Sequence, residues 1–104
     1  MPHYLVTAIP NEHMLPELRR KLDSGEFQSL RPFSGEVTRA LKDARRRPDG
    51  SAAWEEEDYC TPPLAQERAA VLDRYFCQIE VEPVEQGAGW KRIFALPGLW
   101  EGIA

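Results

Sequence analysis

Hydrophobic and polar residues change period several times along this chain, and each change marks an element. His3-Tyr4-Leu5-Val6-Thr7-Ala8-Ile9 is rich in β-branched and aromatic residues and nearly apolar on both faces. It predicts a central strand, stopped by Pro10. Asn11 can then cap a helix whose Met14, Leu15, Leu18 and Leu22 fall at helical spacing, with Gly25 as its stop. Pro16 is tolerated in the first turn, where its missing N–H has no intrahelical partner.

Residues 26–33 are irregular. Ser34 offers a cap for a second helix, spanning residues 36–47, with Val37, Ala40, Leu41 and Ala44 on its apolar side, and Pro48-Asp49-Gly50 supplies a turn. Residues 53–60 lie between that turn and Thr61-Pro62-Pro63, too short a stretch for a comfortable helix, and are expected as a strand. Thr61 as cap and Pro62 at the first helical position predict a third helix over residues 62–76. Cys77, Ile79 and Val81 alternate with Gln78, Glu80 and Glu82, as in a half-buried strand with Cys77 in the core. Gln86-Gly87-Ala88-Gly89 reads as a turn into an antiparallel partner strand over residues 90–95. The tail, Leu96 to Trp100, is apolar without periodicity.

This order predicts an α+β fold: a two-layer sandwich of ferredoxin-like type, with a four-stranded antiparallel or mixed sheet and helices on one face. The extra helix and the final hairpin depart from a strict βαββαβ order. The 104 residues suit a single domain, 1–104. With 42% apolar and 29% charged residues the composition is that of a folding globular chain, not a disordered one. No apolar run approaches the roughly 20 residues needed to span a bilayer, and the N-terminus lacks a basic segment followed by a long apolar one. The expectation is a cytoplasmic protein without membrane contact. Cys60 and Cys77 would sit at opposite ends of the third helix, too far apart for a disulfide.

The net charge of −4 is unevenly spread: residues 1–48 carry +3 and residues 49–104 carry −7. Such a dipolar chain can pair with a copy of itself or with a charged partner. The acid is densest in Trp54-Glu55-Glu56-Glu57-Asp58-Tyr59-Cys60, where four carboxylates are consecutive. On a strand, Glu55, Glu57 and Tyr59 share one face, and Trp54, Glu56 and Asp58 the other. Two carboxylates about 7 Å apart beside a phenol can serve acid/base chemistry, and His3 can reach Glu57 or Tyr59 if the two strands are neighbours. The competing structural reading is an edge strand whose charges block aggregation. Cys60, before a helix start, is the candidate nucleophile, opposed by the carboxylates that precede it. His3 and His13 belong to no spaced ligand motif, so no metal and no cofactor are expected.

Arg39, Lys42, Arg45 and Arg46 form a basic end to the second helix that can meet an anionic ligand, although overall acidity and the lack of interleaved aromatics argue against nucleic acid. Trp90, Phe94 and Trp100 are a heavy aromatic load near the C-terminus and the candidate interface of a homodimer. Three functions follow, in order: a non-catalytic ligand- or protein-interaction module acting as a homodimer; a small cofactor-independent enzyme using a carboxylate/Tyr pair with His3; and a binder of anionic ligands or nucleic acid through helix 36–47.

Overall fold

The apolar N-terminal segment forms the strand it predicts, β1 (His3–Pro10), and takes an inner position in the sheet. In the computed structural model, which describes residues 2–29 and 34–102, β1 pairs antiparallel with β3 (Ala52–Glu57) on one side and β4 (Phe76–Val84) on the other. A two-residue strand, β2 (Arg45–Arg46), lies beyond β3, so the order is β2-β3-β1-β4 and every pairing is antiparallel. Residues paired across an antiparallel ladder share a face. Tyr4, Val6 and Ala8 therefore lie on one face with their partners Glu56, Trp54 and Ala52; His3, Leu5 and Thr7 lie on the other with Glu57, Glu55 and Ala53.

The first face carries the main core. It is covered by α1 (Leu15–Ser24), which buries Leu15, Leu18 and Leu22, and by α2 (Ser34–Lys42), which buries Val37, Ala40 and Leu41. A continuous helix over residues 65–75 completes the layer and buries Val71, Leu72 and Tyr75. It consists of α3 (Ala65–Glu67), a π-helical turn (Arg68–Leu72) and α4 (Asp73–Tyr75). Gly25 ends α1 at φ 76°, the left-handed conformation that glycine adopts without a Cβ penalty. Trp54 is fully buried and meets Phe76 with ring centroids 5.2 Å apart. Truncating Leu18 or Leu41 in this layer removes packing worth about 2–5 kcal/mol.

The second face is partly covered. There α5 (Ala88–Ile93) sets Ile93 against Leu5 and Ala53. Helices thus lie on both faces, not on one as expected, and residues 90–95 do not form a hairpin strand. The carboxylate of Glu55 accepts from the backbone N–H groups of Gly87, Gly89 and Trp90, which fixes this segment as a helix start. The fourth strand is instead β2. The second helix ends at Lys42 rather than at residue 47, and Arg45–Arg46 pair with Ala53 and Ala52.

Two further expectations are corrected. The third helix starts at Ala65 rather than at residue 62, because Asp58 Oδ2 accepts from the N–H groups of Cys60 and Leu64 and holds the approach as a loop. Cys77 is exposed rather than in the core: the β1–β4 register shifts between Thr7 and Ile9, and Gln78 stands at φ 50°. Glu26–Ser29 form a 3₁₀ turn, and the remainder of the irregular stretch, residues 30–33, lies outside the described residues. The tail returns to the body of the fold, with Leu99 N–H donating to Ala44 O and Trp100 Nε1 to Leu41 O. Among the described residues no helix is long and apolar enough to cross a membrane.

Candidate functional site

The pleat of β3 sorts its acidic run into two groups. On the face shared with α5, the β1–β3 register sets His3 opposite Glu57. His3 Nδ1 lies 3.5 Å from Glu55 Oε2, and its Nε2 lies 3.8 Å from Glu57 Oε2. Tyr59 Oη donates to Glu57 Oε2 at 2.7 Å, a bond that raises the pKa of the phenol. Four of the five candidate catalytic residues, His3, Glu55, Glu57 and Tyr59, therefore meet at one end of the sheet. Their roles differ. Glu55 is 3% exposed and takes three backbone N–H groups at 2.7–3.2 Å, so its carboxylate holds α5 in place. Tyr59 is 65% exposed.

Cys60 does not join this group. Its N–H donates to Asp58 Oδ2, in the loop that leads toward Glu67 of the opposite layer. There Glu56, inward-facing on β3, receives Trp54 Nε1 at 2.6 Å and hydrogen-bonds Glu67 of α3. Each of the two glutamates is 1% exposed. Burial raises the pKa of both, and the bond between them raises that of Glu67 further, so the pair holds a proton at neutral pH. Nearby Asp58 adds to both shifts. Sequence reasoning missed Glu67. The available signal was its place in the apolar stripe, three residues after Leu64 and four before Val71. Among the described residues, no group of three or more His, Cys, Asp or Glu side chains is placed to hold a metal ion.

The four basic residues proposed for anion binding are spread over different contacts. Arg39 pairs with Glu36 on its own helix, and Arg45 Nη1 donates to Leu96 O. Arg46 forms an ion pair with Glu12 and also donates to Gly50 O. Lys42 is exposed. Of the aromatic residues proposed for an interface, Trp90 and Trp100 are partly buried against the core, Trp100 lying beneath the Arg19 guanidinium, and Phe94 is 69% exposed.

Beside α5 the second sheet face is open. A depression of about 130 Å³ is floored by Leu5, Ala53, Ile93 and Leu96 and rimmed by Arg47 and Arg92. A second, of about 150 Å³, is lined by Asp49, Ser51, Gln78 and Glu80 and shares Thr7 and Arg47 with the first. The shifted β1–β4 register and Gln78 at φ 50° fall in its wall. Bulges commonly re-aim side chains beside binding sites. No family model, curated protein or solved structure matches this chain.

Proposed function

We propose that the chain is a non-catalytic binding module that receives a small ligand on the open part of its second sheet face. The observation that carries this reading is the pair of adjoining depressions joined at Thr7 and Arg47, which combine an apolar floor with a polar rim. The acidic groups elsewhere are ill placed for turnover: Glu55 is taken up by three N–H groups, and Glu56 and Glu67 lie beneath the sheet. A screen of small molecules against ¹⁵N-labelled protein tests the reading. Ligands should shift the amide signals of Thr7, Ala53 and Ile93; hits confined to other surfaces, or none, count against it.

A second reading rests on the exposed Tyr59 phenol bound to Glu57, with His3 behind it, an arrangement able to pass a proton to a molecule at that end of the sheet. It requires a reaction abolished by both Tyr59→Phe and Glu57→Gln in a fold that circular dichroism finds intact.

Two finer points belong to the same proposal. The order β1, helices, β2, β3, helix, β4 with sheet order β2-β3-β1-β4 agrees with the split βαβ plan, and we read the fold as a ferredoxin-like sandwich with α5 added on its outer face. The exposed Phe94 supports a homodimer formed through the C-terminal region. Light scattering should give twice the chain mass, falling to the monomer in Phe94→Ser; a monomeric wild type removes the dimer.

A further inference from the structure

We infer that the ligand of this face is a small carboxylate with an apolar body, its carboxylate bound by Arg47 and Arg92 and its body seated on Leu96 and the edges of Leu5 and Ile93. The inference rests on the ligand-binding reading and names the ligand's chemistry. The floor and the rim of the smaller depression call for opposite things. Leu5, Ala53 and Ile93 form an apolar cluster of their own, separate from the main core, and Leu96 packs against it. At about 130 Å³ the space above them approaches the size that holds one benzene ring, about 150 Å³, so it suits a ring or a short branched chain.

Two guanidinium groups border that floor, and among the described residues no carboxylate lines the same depression. Arg92 spends Nη1 on Glu82 at 2.7 Å, which leaves the other donors of its fork. Among the described residues the Arg47 side chain makes no hydrogen bond or ion pair, although its charge acts on Asp49 and helps lower the pKa of that carboxyl. Its backbone is nonetheless fixed: its N–H donates to Ser51 O, and its carbonyl accepts from Gly50 in the turn between β2 and β3. A planar guanidinium on an anchored turn is suited to a planar carboxylate, which it binds through two parallel N–H donors.

The larger depression sets the ligand's direction. Asp49 accepts from both the N–H and the hydroxyl of Ser51, bonds that keep its pKa low and its carboxylate charged, and Glu80 lies along the same wall. Those carboxylates oppose an anion in the larger depression, which Arg47 also lines, whereas both arginines and neither carboxylate line the smaller one. A hydroxyl or ammonium substituent on the ligand would point toward Asp49 and Glu80.

The test is titration of the ¹⁵N-labelled full chain with 4-methylpentanoate, with its isosteres 4-methylpentan-1-ol and 4-methylpentylamine, and with acetate. The expected result is saturable shifts at Thr7, Ala53 and Ile93 with 4-methylpentanoate, and binding at least about tenfold weaker for each of the other three, as loss of a charge-assisted pair or of the apolar contact implies. Arg47→Met and Arg92→Met should each weaken 4-methylpentanoate about tenfold or more, whereas Arg20→Met on exposed α1 surface should not. Equal binding of the alcohol or the amine at the same amides overturns the carboxylate and leaves the ligand-binding reading standing. Unchanged affinity in both arginine variants does the same. If neither the carboxylate nor its isosteres perturbs these amides, the inference fails, and the broader screen alone decides the reading beneath it.

Discussion

Glu56 and Glu67 share a proton across the gap between β3 and α3, in a layer where each side chain is 1% exposed and Trp54 Nε1 donates to Glu56 at 2.6 Å. Two carboxylates cannot readily both be charged there, because burial and their mutual repulsion each oppose a second negative charge. The Glu67 pKa is pushed up to about 11, whereas in the unfolded chain it returns to about 4.5. Folding at neutral pH therefore takes up a proton. The stability this gives is fully present below about pH 4.5 and declines as pH rises toward the folded value. Glu67→Gln keeps a donor for Glu56 and needs no proton. Between pH 6 and 9 the wild type should lose stability relative to Glu67→Gln by about 1.4 kcal/mol per pH unit. Urea unfolding at several pH values measures this, and parallel curves for the two proteins refute the shared proton.

The outer helix depends on one carboxylate. Glu55→Ala leaves the N–H groups of Gly87, Gly89 and Trp90 without their acceptor and should cost about 2–4 kcal/mol. Amide exchange should quicken in α5 while α1 keeps its protection. Gly89→Ala provides a check of opposite expectation. Alanine in a helix is ordinarily better than glycine by about 0.5–1 kcal/mol, but a Cβ here would stand 2.8 Å from Glu55 Oε1 and 3.2 Å from Glu55 Cβ. The substitution should destabilise by about 1–3 kcal/mol. A stabilised Gly89→Ala would mean that Glu55 can leave α5 at little cost.

These two glutamates show where local pattern stops being informative. Val6, Ala8, Leu15, Leu18 and Leu22 are legible because burial and period coincide in them, and Gly25 because its φ of 76° is a backbone requirement. The segment from Gly87 to Ile93 is not. Gly-rich residues followed by mixed polar and apolar ones suit a hairpin as well as a helix, and the choice is made by Glu55, more than thirty positions earlier. The acidic run was legible as two faces, and the neighbouring of His3 and Glu57 followed from pairing the two strands. That the inward face is a proton-sharing site was not, since Glu67 arrives from a different element. Arg47 was visible only as one charge among several, because its place beside Arg92 is created by α5.

Tyr59 reports on the outward face. Its phenol donates to Glu57 Oε2 at 2.7 Å, and the negative charge there raises its pKa above the ordinary 10.0. Glu57→Gln removes that charge. The Tyr59 component of the alkaline titration at 295 nm, identified by its loss in Tyr59→Phe, should move down toward 10.0. If it stays where it was, the phenol and the carboxylate are not partners in solution, and the proton-transfer reading loses its geometry.

The two thiols should separate by rate rather than pair. Cys77 opens β4 beside Phe76, on an edge strand whose outer side has no neighbour among the described strands, and it is exposed; Cys60 is half-buried in the loop tied down by Asp58. Both are free. A thiol reacts with a disulfide reagent only as fast as the reagent can reach it. Ellman's reagent should therefore give a fast phase for one thiol and a slow phase for the other, and Cys77→Ser should abolish the fast one. A fast Cys60 would instead indicate that the loop opens readily in solution. It would also return that residue to consideration as a nucleophile, since the tie between Asp58 and Leu64 N–H at 2.6 Å is what keeps its approach closed.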